Sequence, residues 1–503
     1  MSRCSRPDTR PNLSVEIRTT ISIRGLAMCS LALSILIAVL LSGGCSRGVT
    51  SRKPELRVPG GWEIDETTAG AGLQAGSAGD LRTWWNRLDD PVLSGLVHQA
   101  LLSNHDLLKS LARLREAHAR RLIAGAARKP ALTGTGSAGT RHSTNSEGKT
   151  ANTTSLAAGL DASWELDVFG GVSGAIDAAT ADYESTKAEA DGVRVSLAAE
   201  VGLAYVEFRT TRLRIAIFEK STAMQEETLE LIQLRSDAGL DNAQELEQAI
   251  SSLEQTRAQL PLLQLSATDA QHRLELLLGL TPGALRDRLA TDADLPSVPA
   301  TVTAGIPAEV LRQRPDIRAA ERKLAAETAR EGVARSQLYP AFKLSGSFGV
   351  ELILGNGTSA VLSLLGGITA PLFDGGRLRA QLKLQTAVCD QAVHAYRQAV
   401  LTALQEVRSA LASLVQQRGR MEILKRALEA ARRADTLARQ RFAAGAIDFQ
   451  PVLETGRTLL NLEDSLTSTR ASEVNALITL YKALGGGWSP VVSPLKTVED
   501  VKP

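Results

Sequence analysis

The chain is written twice. Asn104-His105-Asp106-Leu107 recurs 210 positions later as Arg314-Pro315-Asp316-Ile317. The same offset carries Lys129-Pro130-Ala131-Leu132 onto Tyr339-Pro340-Ala341-Phe342, and Gly136-Ser137 onto Gly346-Ser347. Further on, Val168-Phe169-Gly170-Gly171 meets Leu372-Phe373-Asp374-Gly375-Gly376. Arg235, Gly239, Gln244 and Leu278-Gly279 then meet Arg441, Gly445, Gln450 and Leu484-Gly485 at an offset of 206. Collinear matches through separate segments mean one unit of about 200 residues used twice, so each unit's architecture must suit packing beside its copy.

Each unit reads helix, strand, strand, long helix, tight turn, helix. In 155–168 the even positions include Leu156, Leu160, Trp164 and Leu166, and the odd ones Asp161, Ser163, Glu165 and Asp167. In 341–352, Phe342, Leu344, Phe348 and Leu352 alternate with Lys343, Ser345, Ser347 and Glu351. This is the period-two signature of strands with one apolar and one polar face. Residues 131–141 and 360–373 repeat it more weakly, which gives two hairpins, 130–168 and 340–373, with turn-rich tips. A small soluble sandwich with one wet face fits that alternation as well as a membrane sheet does. The strands, at about 10–14 residues, are long enough to cross a bilayer when tilted, but about eight are needed to close a barrel. A membrane reading therefore requires oligomerisation, and three chains of four strands give twelve. Asp161, Glu165, Asp167, Lys343 and Glu351 would then face the water-filled lumen, and Leu160, Trp164, Leu344 and Phe348 the lipid.

The helices decide between these readings. Residues 174–238 contain no proline, and Ile176, Ala179, Tyr183, Thr186, Ala190, Val193 and Leu197 step by three and four, the spacing of supercoiled packing. Residues 376–443 form a second such helix, with Val393, Tyr396, Val400, Leu404 and Val407 on one side. Each is about 100 Å long at about 1.5 Å per residue, longer than a globular core needs. Two shorter helices, 242–278 and about 307–338, would return over the same distance. The far turns are 236–242 and 442–448, where Gly239 and Gly445 suit the left-handed position after a helix C-terminus. The expected organisation is a first repeat over 91–283 and a second over 307–485. Residues 45–90, 284–306 and 486–503 would gather as a collar.

The N-terminus reads as an export signal over residues 1–44. A basic stretch ends at Arg24, an apolar run spans 26–41, and Ser42-Gly43-Gly44 precede Cys45. Leu-Ser-Gly-Gly-Cys resembles a bacterial lipobox, although Ser42 stands where Leu is commonest. Cys45 would then be lipidated and become the first residue, and Ser46 favours sorting to the outer membrane. The alternative is an uncleaved anchor helix. Cys4 and Cys29 leave with the signal, so Cys389 stands alone in a helical stretch, and no disulfide framework forms within the chain. A buried small hydrophobe is its expected role.

Other functions have little support. A net charge of +2 is too balanced for a nucleic-acid binder. His98, His105, His118, His142, His272 and His394 are scattered without metal spacing, and no phosphate-binding glycine loop follows a strand. Neither an enzyme, nor a cofactor, nor a metal site is expected.

Several motifs resemble those of the TolC-like outer-membrane efflux proteins, particularly the NodT-type lipoproteins of drug and metal pumps. They are Trp84-Trp85, Asp90-Pro91-Val92-Leu93, Asn104-His105-Asp106-Leu107, Trp164-Glu165-Leu166-Asp167-Val168-Phe169-Gly170, Arg314-Pro315-Asp316-Ile317 and Pro371-Leu372-Phe373-Asp374-Gly375-Gly376. The resemblance implies a membrane α/β fold: a trimeric twelve-stranded β-barrel, four strands per chain, continued by a long α-helical coiled-coil periplasmic tunnel. It implies small-molecule efflux (drugs or metals) together with a periplasmic adaptor and an inner-membrane RND-type pump, from an outer-membrane site. It puts a periplasmic gate just past the second tip, which transfers to Glu454, where Asp is usual, with Asp448 a second acidic candidate. The alternative for these two acids is support of the returning helix through its dipole. Adaptor contacts transfer to Arg235, Gly239 and Leu240 and to Arg441, Gly445 and Ala446. The rival readings are the outer-membrane duct of a type I protein secretion system and a coiled-coil envelope spacer; paired amphipathic hairpins argue against the spacer, which has no use for a pore.

Overall fold

The computed structural model describes residues 73–75, 81–144, 146, 148, 150–237, 243–291, 293–304, 312–354 and 357–488. The stretch expected to be an export signal, Cys45, Gly239, Leu240 and the residues from 489 lie outside them.

The alternating segments form strands β2 (Ala131–Thr144), β3 (Thr150–Leu166), β5 (Ala341–Ile353) and β6 (Gly357–Thr369). They build one antiparallel sheet in the order β2-β3-β5-β6, so the two hairpins are joined through β3 and β5. β2 and β6 are exposed along their whole length and are the open edges of this sheet. A separate pair of short strands, β1 (Leu73–Ala75) and β4 (Val302–Ala304), runs parallel and ties the N-terminal segment to the segment between the repeats.

Helices α1 (Pro91–Ser103) and α2 (His105–Ala126) lead into β2. α3 (Gly171–Asp237) leaves β3, and α4 (Ala243–Arg257) and α5 (Gln259–Leu277) return along it. α6 (Pro315–Ser336) leads into β5; α7 (Arg377–Ala443) leaves β6, and α8 (Phe449–Ala483) returns. The long helices α3 and α7 have 67 residues each, about 100 Å at about 1.5 Å per residue. Near the sheet α3 packs between α2 and α6, and α6 also meets α7; farther out α3 packs against α4, α5 and α8, and α8 also meets α7. At either level four helices lie side by side, matching the four strands.

That arrangement needs two seams on α3, and the sequence reading finds one of them. Tyr183 packs edge-on against His118 of α2, with Arg121 over its ring at 5.1 Å. The second seam is made of small buried residues, Ala178, Ala181, Ser185 and Ala188, and the Ser185 hydroxyl donates to the Ala319 carbonyl of α6 at 3.0 Å. Small side chains let the two backbones approach closely, but an alanine carries little signal of which face it occupies.

Two helix boundaries differ from expectation. The segment 242–278 is two helices, because Pro261 has no N–H to bond the Arg257 carbonyl and the first helix ends there. The expected helix from about 307 to 338 is interrupted at Arg314: residues 312 and 313 are helical, but the residue before a proline is driven to extended backbone, as Arg314 is at φ −68°, ψ 124°, and α6 begins at Pro315.

Each repeat closes on itself at mid-length with the same bond. Asn104 caps α2 by accepting from the Leu107 amide at 2.9 Å, and its amide nitrogen donates to the Leu277 carbonyl at the end of α5 at 2.8 Å. Its counterpart Arg314 donates to the Ala483 carbonyl at the end of α8 at 2.8 Å and also holds Asp316 and Glu406. The largest core surrounds this level. Trp84 is fully buried, in tilted contact with Tyr481 at 5.5 Å, while Asp90 caps α1 and accepts from the Tyr205 hydroxyl at 2.9 Å. Burial pushes the Tyr205 hydroxyl up to about 12, so it stays a donor. The inter-repeat segment is strapped over this core by Arg418, whose guanidinium donates to the Pro299 carbonyl at 2.7 Å and the Ala300 carbonyl at 3.1 Å. Cys389 is buried, 3.6 Å from the Thr328 hydroxyl.

Candidate functional site

The sheet has two chemically distinct faces, fixed by register. Leu160 lies opposite Phe348, Trp164 opposite Leu344, and Phe348 opposite Leu362, so even-numbered apolar residues fall on one side of all four strands. This face is open, with Leu160 47% and Leu362 82% exposed. On an isolated chain so broad an apolar surface requires a covering phase. The other face brings together Thr135, Asp161, Glu165, Lys343, Ser347 and Glu351, with Glu165 opposite Lys343 and Asp161 opposite Ser347. Thr135 donates to Asp161 at 3.4 Å, and Ser347 and Ser363 share a hydrogen bond of 2.7 Å. The polar face is the concave one: a hollow of about 300 Å³ is lined by Thr135, Ser137, Asp161, Ser347, Glu351 and their neighbours. At the sheet's end the Trp164 indole N–H donates to the Arg128 carbonyl at 3.1 Å.

Asp167 does not belong to that face. β3 ends at Leu166, and the Asp167 carboxylate turns back to accept from the amides of Val172 at 3.0 Å and Ser173 at 2.7 Å, and from the Ser173 hydroxyl. Partial burial works against the charge, but these bonds outweigh it and hold the carboxyl below its ordinary value of 3.8. Asp374 does the same for α7, accepting from the amides of Leu378 at 2.8 Å and Gly376 at 2.9 Å. Both acids start long helices.

At the far end, α7 stops on Gly445, at φ 71°, with Gly445 N–H donating to the Phe442 carbonyl at 2.9 Å and Ala446 N–H to the Arg441 carbonyl at 2.8 Å. Arg441 and Ala446 are exposed there. Arg235 reaches across from the first tip, donates to the Phe442 carbonyl at 3.2 Å and stacks over its ring at 4.9 Å. Ile232, Ala249, Ala438, Phe442, Phe449 and Val452 make a small core that joins both tips. Asp448 occupies the cap position of α8 but makes no capping hydrogen bond, and Glu454 is exposed and accepts from Gln450 at 3.5 Å. The sequence reading missed Asp435 and Arg439. Asp435 is buried, and Arg439 links it at 2.7 Å to the Thr228 hydroxyl at 3.2 Å. An acid and a base spaced i, i+4 on the packed face was the signal available.

Among the described residues, no helix is long and apolar enough to cross a membrane, and no group of three or more His, Cys, Asp or Glu is placed to hold a metal ion. A profile of the family described as outer membrane efflux protein matches residues 96–280 and 306–486, one match per repeat. The pyoverdine export outer membrane protein OpmQ of Pseudomonas aeruginosa is 33% identical over 469 residues, spanning 91% of this chain and 97% of its own. Nodulation protein T of Rhizobium leguminosarum bv. viciae is 30% identical over 477 residues, spanning 93% and 96%. The solved structure of the outer-membrane channel OprN superposes with a TM-score of 0.80 at 34% identity, covering 86% of this chain and 99% of that one. With its repeat, its two-faced sheet and its paired long helices, the chain belongs to the outer membrane efflux protein family, as a NodT-type member whose four strands are one third of a trimeric twelve-stranded transmembrane barrel continued by a helical periplasmic tunnel.

Proposed function

We propose that this efflux channel is the outer-membrane duct of a tripartite pump that exports small molecules, drugs or metals, received through a periplasmic adaptor from an inner-membrane RND-type pump. The observation that carries the reading is the pair of helical hairpins about 100 Å long, joined at their tips by one core. Such a length is useful where the cargo must cross the periplasm without release, and a joined tip is a surface an adaptor can grip. OpmQ, a pyoverdine export protein, supports export as the task. Arg235, Gly239, Leu240, Arg441, Gly445 and Ala446 are the proposed adaptor contacts, Asp448 and Glu454 the gate, and Asp161, Glu165, Lys343 and Glu351 the lumen wall. Lipid on Cys45 anchors the chain; the mass of the mature N-terminus tests this, and a bare Cys45 would remove the anchor.

Export is tested in cells lacking the channel and loaded with a fluorescent pump substrate. Wild-type protein restores dye exit. Gly445→Trp places a side chain where the backbone is left-handed, at a cost of about 1–2 kcal/mol confined to the tip. It abolishes dye exit while the barrel still assembles. Undiminished dye exit by an assembled Gly445→Trp channel would rule out tip docking.

A further inference from the structure

The two repeats meet at mid-length, and there they differ in their cations. In the second, the buried Arg314 guanidinium donates to Asp316 at 2.6 Å and to Glu406 at 2.7 Å. The repeat offset of 210 carries Arg314 onto Asn104 and Asp316 onto Asp106, and the offset of 206 carries Glu406 onto Glu200. The surroundings correspond as well. α2 packs on α3 as α6 packs on α7, and Asn104 bonds the Leu277 carbonyl as Arg314 bonds that of Ala483. The carboxylate pair is therefore written in both repeats, and its guanidinium in only one. Lys482 of the second repeat likewise corresponds to Leu276 of the first. Asn104 carries no charge, and its side chain is already engaged by the Leu107 amide and the Leu277 carbonyl. Among the described residues, no ion pair or side-chain hydrogen bond reaches Asp106, Glu200 or the nearby Glu189.

All of these carboxylates line one hollow of about 660 Å³, which crosses the wall from Asp106 over α3 to Arg314 and Glu406. On α3 its lining includes Glu189, Val193, Ser196 and Glu200, stepping by four, three and four along one side of the helix. The collar lies on the other side: Gly202 sits against Trp84 and Ile478, and Tyr205 reaches Asp90. Glu200 stands two residues before Gly202, about 200° round the helix. A hollow that reaches from α2 to α7 marks the concave side of the wall, the side that faces the axis when three chains close the tunnel. Its volume suits a small molecule. Among the described residues no group of three or more His, Cys, Asp or Glu is placed to hold a metal ion, so the hollow fits an organic cation better than a bare metal. Resting on the efflux reading for its task, we propose that the hollow is a transit site for cargo bearing a guanidinium or amidinium group. Asp106 and Glu200 hold that group as Asp316 and Glu406 hold Arg314. A planar fork of N–H donors matches paired carboxylates, whereas a compact ammonium meets them only as a point charge.

Fluorescence titration of the purified full-length channel in detergent with p-aminobenzamidine, an amidine whose emission rises when it leaves water, tests the site. The wild type binds it saturably. Asp106→Asn together with Glu200→Gln weakens binding by about tenfold or more, the loss expected when hydrogen bonds to charged groups are removed. Asn104→Arg supplies the first repeat with the second repeat's own cation, and it excludes p-aminobenzamidine while the trimer stays assembled, a result that a merely misfolded variant does not give. Guanidinium chloride at low concentration competes with the probe, and tetramethylammonium, of equal charge but without N–H groups, does not. A wild-type channel that leaves the probe free, a double variant that binds like wild type, an assembled Asn104→Arg channel that still binds, or equal competition by both cations would each overturn the site. None of these measurements involves a pump or an adaptor. Absence of dye exit from cells carrying the wild-type channel would overturn the export reading and leave the binding result standing.

Discussion

At Asp167 the period-two pattern outruns the strand by one residue. The carboxylate that alternation assigns to the lumen is needed for the free amides at the start of α3, and helix initiation wins because unbonded N–H groups there have no other partner. Asp161, Glu165, Lys343 and Glu351 all lie within their strands, Glu165 by a single residue, and there alternation places them on the polar face. Asp448 poses the reverse question. It stands at a cap position without capping, which leaves its charge free. Three copies of Asp448 and of Glu454 brought toward one axis repel one another and attract cations, and a like-charge contact at about 4 Å is worth about 1–4 kcal/mol in a wet site. Asp448→Ala with Glu454→Ala should raise single-channel conductance in planar bilayers and weaken block by divalent cations. An assembled double variant that conducts and is blocked like wild type would exclude both residues from the gate.

Among the elements, the long helices were the most legible because heptad spacing over many turns has no other source. The break at Pro261 was also written in the sequence. The bonds between elements were not, since Arg314 and the Ala483 carbonyl are 169 residues apart. The repeat does hint at them: Asn104 and Arg314 occupy equivalent places, and each bonds the last turn of its own returning helix. Arg314 is 7% exposed and holds two half-exposed carboxylates as well as the carbonyl. Arg314→Met should therefore destabilise by about 1.5–3 kcal/mol, the range for charged hydrogen bonds. Asn104→Ala should lose about 0.5–2 kcal/mol, as for other helix caps. Thermal dissociation of the purified trimer measures both, and an Arg314→Met protein as stable as wild type would show the mid-length closure to be dispensable.

For the whole molecule, one requirement links strands, helices and repeat. A sheet with two open edges and one apolar face is unstable in water and incomplete in lipid, where every backbone group must be paired. Each unit supplies two strands and, at each level, two helices, so two copies give four of each and the same threefold rotation closes the barrel and the tunnel. The apolar face, the polar hollow and the edges are legible from strand alternation. The number of subunits depends on counting strands against the minimum for closure. The central claim, that the pore exists only when three chains close it, is tested most directly by single-channel recording from separated monomer and trimer fractions of the detergent-purified protein. The account predicts discrete conductance steps from the trimer and none from the monomer; conductance from the monomer, or a silent trimer even with Asp448 and Glu454 both replaced by alanine, would contradict it.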